Sequence, residues 1–426
     1  MRKILMIFVV LICIVGGVFV ILWESGMFGE SADGRRSVDN DITEKSPDVS
    51  DNADAADKTT SETIDPNADE KPVDTTETTE DAVSELVDKT MAEMSLHDKV
   101  CQMMFVTPEG LTGTDDVMVA GDATKQALQA YPVGGIIYFA NNFDNVDQTR
   151  DMISNTQSYS KIGLFIATDE EGGRVNRIMD TLGTTYIGPM YDYKDDGPDA
   201  AFENAKTIAS DMSALGFNLD FAPVADVWSN PDNTVIGDRA YSDDYAQAAE
   251  LVGSAVKGFQ DGGVICTLKH FPGHGDTAED SHYSNAYVNR TKTQIMADEM
   301  QPFRAGIDAG ADLVMVGHLI VPDIDELPST LSYKIATEML RGDMEFDGVA
   351  ITDSMEMESI ADNYGVADSA VMAVQAGMDM LLQPADLAAA VDAIVTAVQN
   401  GDITEARIDE SVRRILTLKA ERGLLE

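Results

Sequence analysis

VICTLKHFPGHGDTAEDSHYSN, residues 264–285, starts as a buried strand and ends as a polar loop. Val264–Leu268 is a short, largely apolar run of the kind that fills the middle of a parallel sheet. Two charged or titratable residues, Lys269 and His270, close it. The chain holds only five histidines in 426 residues, and three of them, His270, His274 and His282, fall in this stretch. Asp276, Glu279 and Asp280 lie among them. Such a loop could be a metal cage, an acid/base device or an accident of composition. The fold depends on whether other strands end in the same way.

They do. Seven further segments read as strands: VCQMMFV (100–106), VGGIIYF (133–139), GLFIATD (163–169), FNLDFAPV (217–224), DLVMVGH (312–318), GVAITD (348–353) and MDMLLQ (378–383). Amphipathic stretches such as DDYAQAAELVGSAVKGFQDG and SYKIATEMLRGDM separate several of them. Near-continuous apolar strands alternating with helices imply a parallel sheet. Eight such units predict an α/β fold, a (β/α)8 TIM-like barrel forming a single catalytic domain. A doubly wound open sheet is the alternative, and it would bind a ligand in a crevice between strands.

The strand ends favour the barrel. The third strand runs into Asp169 and then EEGGRVNR, with Arg177; the fourth leads to Asp226 and then to Arg239 in VIGDRAY. The fifth stops at Lys269 and His270, the sixth at His318 and the seventh at Asp353. On a barrel all of these ends open on one face, where active sites of this fold sit.

Asp353 could be a nucleophile, a metal ligand or a paired structural acid. Arg177, Arg239 and Lys269 would keep a neighbouring carboxylate ionised and supply donors for hydroxyl or acetamido groups. A retaining glycosidase needs a nucleophilic carboxylate and an acid/base partner. His282 suits the second role, because Asp280 in the DSH triplet can orient its ring and stabilise the imidazolium. Gly273 and Gly275 are expected to let this loop move the imidazole in and out. A metal site built from His270, His274 and His282 with Asp280 or Asp353 is the competitor. His274 itself reads as a residue that packs the loop.

These residues resemble a known family. KHFPGHGDTAEDSH is similar to the signature of the β-N-acetylhexosaminidases of glycoside hydrolase family 3, the NagZ type. TDEEGGRVNRI, GFNLDFAPVADV with IGDRAY, MVGHLIVP, LPSTLSYKI, LRGDMEFDGVAITDSMEM and AGMDMLL follow that family's order. The resemblance implies Asp353 as nucleophile, and His282 with Asp280 as the acid/base dyad. It implies Asp169, Arg177, Arg239, Lys269 and His270 as ligands of the terminal sugar, and no cofactor or metal. The implied activity is exo-acting, retaining removal of non-reducing β-linked N-acetylglucosamine, from glycans or muropeptides of peptidoglycan. ARIDESVRRILTLK resembles the family's closing helix, so no second catalytic domain is expected. Glu170 departs from the pattern, and an extra negative charge beside Asp169 is expected to alter sugar preference. Three other readings stay open: a glycoside phosphorylase on the same scaffold, a metal-dependent hydrolase, and a non-catalytic sugar-binding surface protein.

Ahead of this domain lie two other zones. Arg2 and Lys3 precede an apolar run, Ile4–Trp23, about long enough to span a bilayer. Residues 1–23 are expected to be a single-pass anchor with the remainder extracytoplasmic, a cleaved secretion signal being the alternative. Residues 24–81 are rich in Asp, Glu, Ser and Thr and are expected to be a disordered acidic linker. The folded domain is then 82–426. A formal charge of −46 disfavours nucleic acid as a partner. Cys13, Cys101 and Cys266 show no CxxC spacing, so buried free thiols are expected rather than disulfides.

Overall fold

The computed structural model describes residues 75–277 and 286–425. The anchor segment 1–23, most of the linker, Cys13, and the dyad residues Asp280 and His282 lie outside the described residues. Among the described residues no helix is long and apolar enough to cross a membrane.

All eight expected strands form. They are β1 (Met104–Val106), β2 (Gly135–Ile137), β3 (Phe165–Thr168), β4 (Leu219–Asp220), β5 (Ile265–Phe271), β7 (Leu313–Val316), β9 (Val349–Thr352) and β10 (Leu381–Leu382). They pair in parallel in the order β10-β1-β2-β3-β4-β5-β7-β9. The two outer strands meet through a parallel bridge between Ile351 and Met380, and the Thr352 N–H donates to the Met380 carbonyl at 3.0 Å. An open sheet would leave both of those edges unpaired. The fold is therefore a nearly closed eight-stranded barrel, and the doubly wound alternative falls. Two short strands, β6 (Ala286–Tyr287) and β8 (Leu319–Ile320), form a separate parallel ribbon.

Helices wrap the barrel, and side chains in the sequence set their ends. Asn145, Asp244, Asp386 and Thr404 each cap a helix by accepting a backbone N–H. Gly216, Gly377 and Gly401 close helices in the left-handed conformation. The apolar faces of these helices and the strand side chains make one continuous core, with Phe105, Phe165, Phe221 and Phe259 fully buried.

Two boundaries differ from expectation. Ser95 forms a capping box with Asp98 and starts a helix at Leu96, which takes Val100–Gln102 out of the first expected strand. A helix Thr75–Glu93 crosses the expected domain start at residue 82. It buries Val87 and Met91 and ties Asp88 to Arg413 at 2.7 Å. Cys101 and Cys266 are buried free thiols, and burial raises both well above the ordinary thiol range.

Candidate active site

The C-terminal ends of β2, β3, β5, β7, β9 and β10 surround one cavity of about 860 Å³. Asp169, Arg177, Arg239, Lys269, His270 and Asp353 all line it. The register of β5 against β7 shifts between Leu268 and Phe271, which breaks strand alternation. Consecutive residues Lys269 and His270 can therefore both face the cavity.

Charge pairing organises the floor. Lys269, 2% exposed, places Nζ 2.8 Å from Asp169 Oδ1 and 2.5 Å from Glu171 Oε1. Arg239 grips Glu171 through Nε and Nη2, both at 2.8 Å. Burial alone would raise the Glu171 carboxyl, but the Arg239 and Lys269 charges overcome it and hold Glu171 well below the usual range. Burial alone would lower the Lys269 ammonium, but Asp169 and Glu171 overcome it and raise it. Arg177 approaches Asp169 at 3.8 Å and lies over the Phe139 ring.

Asp226 stands behind this floor and is fully buried. Its Oδ2 accepts from His270 Nδ1 at 2.6 Å and from the His270 backbone N–H at 3.1 Å. Its Oδ1 accepts the His274 N–H at 2.6 Å. Burial pushes Asp226 up, yet the His270 charge and these hydrogen bonds leave it below its ordinary value. A carboxylate only accepts, so the proton of His270 sits at Nδ1, and Nε2 is the acceptor of the neutral ring.

His274 does pack the loop. It is 2% exposed, its Nδ1 meets Thr277 Oγ1 at 2.8 Å, and its carbonyl accepts from Asn233 Nδ2 at 2.8 Å. Burial lowers the imidazole to about 4. Gly273 and Gly275 also serve close packing, which the sequence does not reveal. A Cβ on Gly275 would lie 1.6 Å from the Val227 carbonyl oxygen, and one on Gly273, at φ +117°, would lie 2.7 Å from Glu299 Cγ. Asn230 Nδ2 donates to the Thr277 carbonyl at 3.1 Å. The two glycines allow close approach, and hydrogen bonds hold the chain as far as Thr277.

Asp353 follows β9, with its N–H donating to Val316 O at 2.9 Å. His318, at the end of β7, lies behind it rather than in the cavity. It is fully buried, accepts from Thr330 Oγ1 at 2.8 Å, and donates from Nε2 to the Ser354 carbonyl at 2.8 Å. It thereby braces the turn that presents Asp353. Among the described residues, no group of three or more His, Cys, Asp or Glu side chains is placed to hold a metal ion.

The Glycosyl hydrolase family 3 N terminal domain signature matches residues 95–418. The chain belongs to that family. It is thus an enzyme of the glycoside hydrolase class. It is 33% identical over 330 residues to Beta-hexosaminidase A of Pseudoalteromonas piscicida, covering 70% of this chain and 55% of that protein. It is 35% identical over 290 residues to a Beta-hexosaminidase of Tolumonas auensis, covering 67% and 85%. The fold matches a family 3 beta-N-acetylglucosaminidase from Paenibacillus sp. str. FPU-7 with TM-score 0.72 and 39% identity, covering 78% of this chain and 63% of that one. The chain thus spans little more than half the length of some family 3 relatives and most of others.

One family 3 departure is corrected by the structure. Glu170 does not add its charge to the cavity. It turns inward, 2% exposed, and accepts the backbone N–H groups of Arg177, Ile178 and Met179 at 2.7, 2.9 and 3.2 Å. The adjacent Glu171 faces the cavity and was missed, because sequence does not say which of two neighbouring glutamates points inward. Burial pushes the Glu170 carboxyl from an ordinary 4.5 up to about 7, against the pull of those N–H groups and of Arg177. Between these values the folded chain binds more protons than the unfolded one, so stability falls as pH rises through that window. Burial moves Glu299 in the same direction. Glu170→Gln should therefore show a shallower fall of melting temperature from pH 5 to 7 than the parent. A uniform loss is also expected, because the new NH2 faces an N–H, so only the slope is diagnostic. Equal slopes would mean that Glu170 is ionised throughout.

Proposed function

We propose that this chain is a retaining exo-β-N-acetylglucosaminidase. The observation that carries the reading is the placement of Asp353 in one cavity with Asp169, Arg177, Arg239, Lys269 and His270. The names of the β-hexosaminidase relatives support the choice of sugar. The charged floor orients the terminal sugar through its hydroxyls. The Asp353 carboxylate attacks the anomeric carbon as the glycosidic bond breaks, and the His282 imidazolium protonates the leaving oxygen. Asp280 stabilises that imidazolium. His282 then takes a proton from water, which attacks the anomeric carbon, releases Asp353 and retains configuration.

Peptidoglycan fragments are the proposed natural substrates. Residues 1–23 anchor the chain in the membrane, and the acidic segment between them and the helix that starts at Thr75 tethers the barrel outside it. The deciding assay compares aryl β-N-acetylglucosaminides with aryl β-glucosides, with and without phosphate, and follows the configuration of the product. Preference for the glucoside would sink the reading. Phosphate-driven turnover that yields a sugar 1-phosphate would replace it with a phosphorylase.

His282→Ala should slow substrates with poor leaving groups by roughly 10²- to 10⁴-fold and activated aryl substrates far less. Equal losses on both would remove the acid role.

A further inference from the structure

Almost every charged side chain in the floor of the cavity is matched to a neighbour. Lys269, Arg239, Asp169 and Glu171 pair closely with one another, and His270 is held by Asp226. Arg177 only approaches Asp169, at 3.8 Å, and its Nε has no hydrogen-bond partner among the described residues. Gln383 differs from these in carrying an uncharged amide. It lines the same cavity, is only partly exposed, and has no hydrogen-bond partner for its side-chain amide among the described residues. It directly follows β10, beside the nucleophile: the Leu382 carbonyl accepts the N–H of Met355, two residues beyond Asp353, at 2.9 Å.

The backbone of Gln383 is also unusual. Its φ is +49°, in the left-handed region that a glutamine seldom occupies. The N–H of Gln383 donates to Phe105 O at 2.7 Å, which fixes this conformation at the seam between β10 and β1. Strain of this kind persists where the surroundings over-determine it, commonly at ligand sites.

We infer that Gln383 is a specificity-determining residue that reads the 2-acetamido group of the sugar. The inference rests on the proposed glycosidase reading. A group beside the nucleophile lies beside the anomeric carbon, so it reaches substituents on the atoms flanking that carbon. On one side is C2, which carries the acetamido group. A primary amide offers both a donor and an acceptor, which matches the C=O and N–H of an acetamide. A hydroxyl at C2 would leave half of that pairing unmade. Glu356 and Glu358, the other cavity carboxylates outside the paired floor, are exposed and lack the donor that an acetamide carbonyl needs.

The test compares the full chain with Gln383→Leu and Gln383→Asn on 4-nitrophenyl β-N-acetylglucosaminide and 4-nitrophenyl β-glucoside. For Gln383→Leu, kcat/KM on the acetamido sugar should fall roughly 10- to 100-fold while the glucoside rate stays within about 3-fold. Gln383→Asn accepts the left-handed backbone more readily and keeps an amide, so it should recover part of the selectivity. Equal loss on both substrates, or an unchanged ratio in Gln383→Leu, would overturn the assignment. Should the parent show no preference for the acetamido sugar, the glycosidase reading itself fails, which is a different result. Melting temperatures within a few degrees of the parent establish that the variants fold.

Discussion

Asp353→Ala is expected to lower kcat/KM on an aryl β-N-acetylglucosaminide by on the order of 10⁴-fold or more without unfolding the barrel. Alanine removes the bond from the Ser354 N–H to Asp353 Oδ1 at 2.8 Å, but the backbone bonds around the turn remain. The N–H of residue 353 still donates to Val316 O, His318 still holds the Ser354 carbonyl, and Met355 still bonds to Leu382 O. In the proposed mechanism this removes the charge and the atom that form the covalent bond to the anomeric carbon, so both halves of the double displacement stop. A small external nucleophile offers a sharper test. Azide can enter the space left by the carboxylate and attack the anomeric carbon of an activated substrate, giving the α-glycosyl azide and restoring turnover. Only loss of the nucleophile is rescued with inverted product. A variant that retains about a tenth of parent activity, or azide rescue that gives the β product, would place the nucleophile elsewhere.

The eight strands were legible as apolar runs, and the barrel followed from their number and from the five that lead to a charged or titratable residue. The segment 100–106 was half misread because VCQMM is apolar in either conformation; Ser95 and Asp98, which decide for helix, lie outside the run. Within the site, residues at strand ends were found, since a charge closing an apolar run is a local signal. Asp169, Lys269, His270 and Asp353 are of that kind. The role of Glu171 was not legible, because it depends on Arg239, 68 positions away. Gly273 and Gly275 were read only as hinges because sequence reveals a glycine's freedom but not the carbonyl or side chain pressed against it. Gln383 gave no sign: a glutamine ending a strand carries no charge, and its left-handed backbone comes from closing β10 onto β1.

At the opposite end of the strands, Asp379→Ala should destabilise the barrel by about 3–5 kcal/mol with little effect on the cavity. Asp379 is completely buried and sits just ahead of β10, at the one seam joined by a single bridge. Its Oδ2 accepts from Arg341 Nη2 at 2.5 Å and from the Ala350 N–H of β9 at 3.0 Å. Its Oδ1 accepts from Ser411 Oγ at 2.6 Å and Arg414 Nη1 at 3.3 Å, with Arg407 at 3.8 Å. One carboxylate therefore ties β9 and β10 to the helix Glu405–Glu421 and to the helical turn Lys334–Asp343. Alanine leaves the Ala350 N–H without its acceptor and several guanidinium groups without their shared anion. With unfolding entropy near 2.1 cal/mol/K per residue, a unit of this size should melt roughly 4–7 °C lower. Arg413→Ala, which cuts a half-exposed pair with Asp88, is the control and should cost no more than about 1 kcal/mol. Below the melting transition Asp379→Ala should keep near-parent KM, because its carboxylate lies at the N-terminal rim of the barrel and the proposed sugar site at the C-terminal rim. A melting temperature no lower than that of the control would mean that helix packing alone closes the barrel, and that the shared anion adds nothing to the seam.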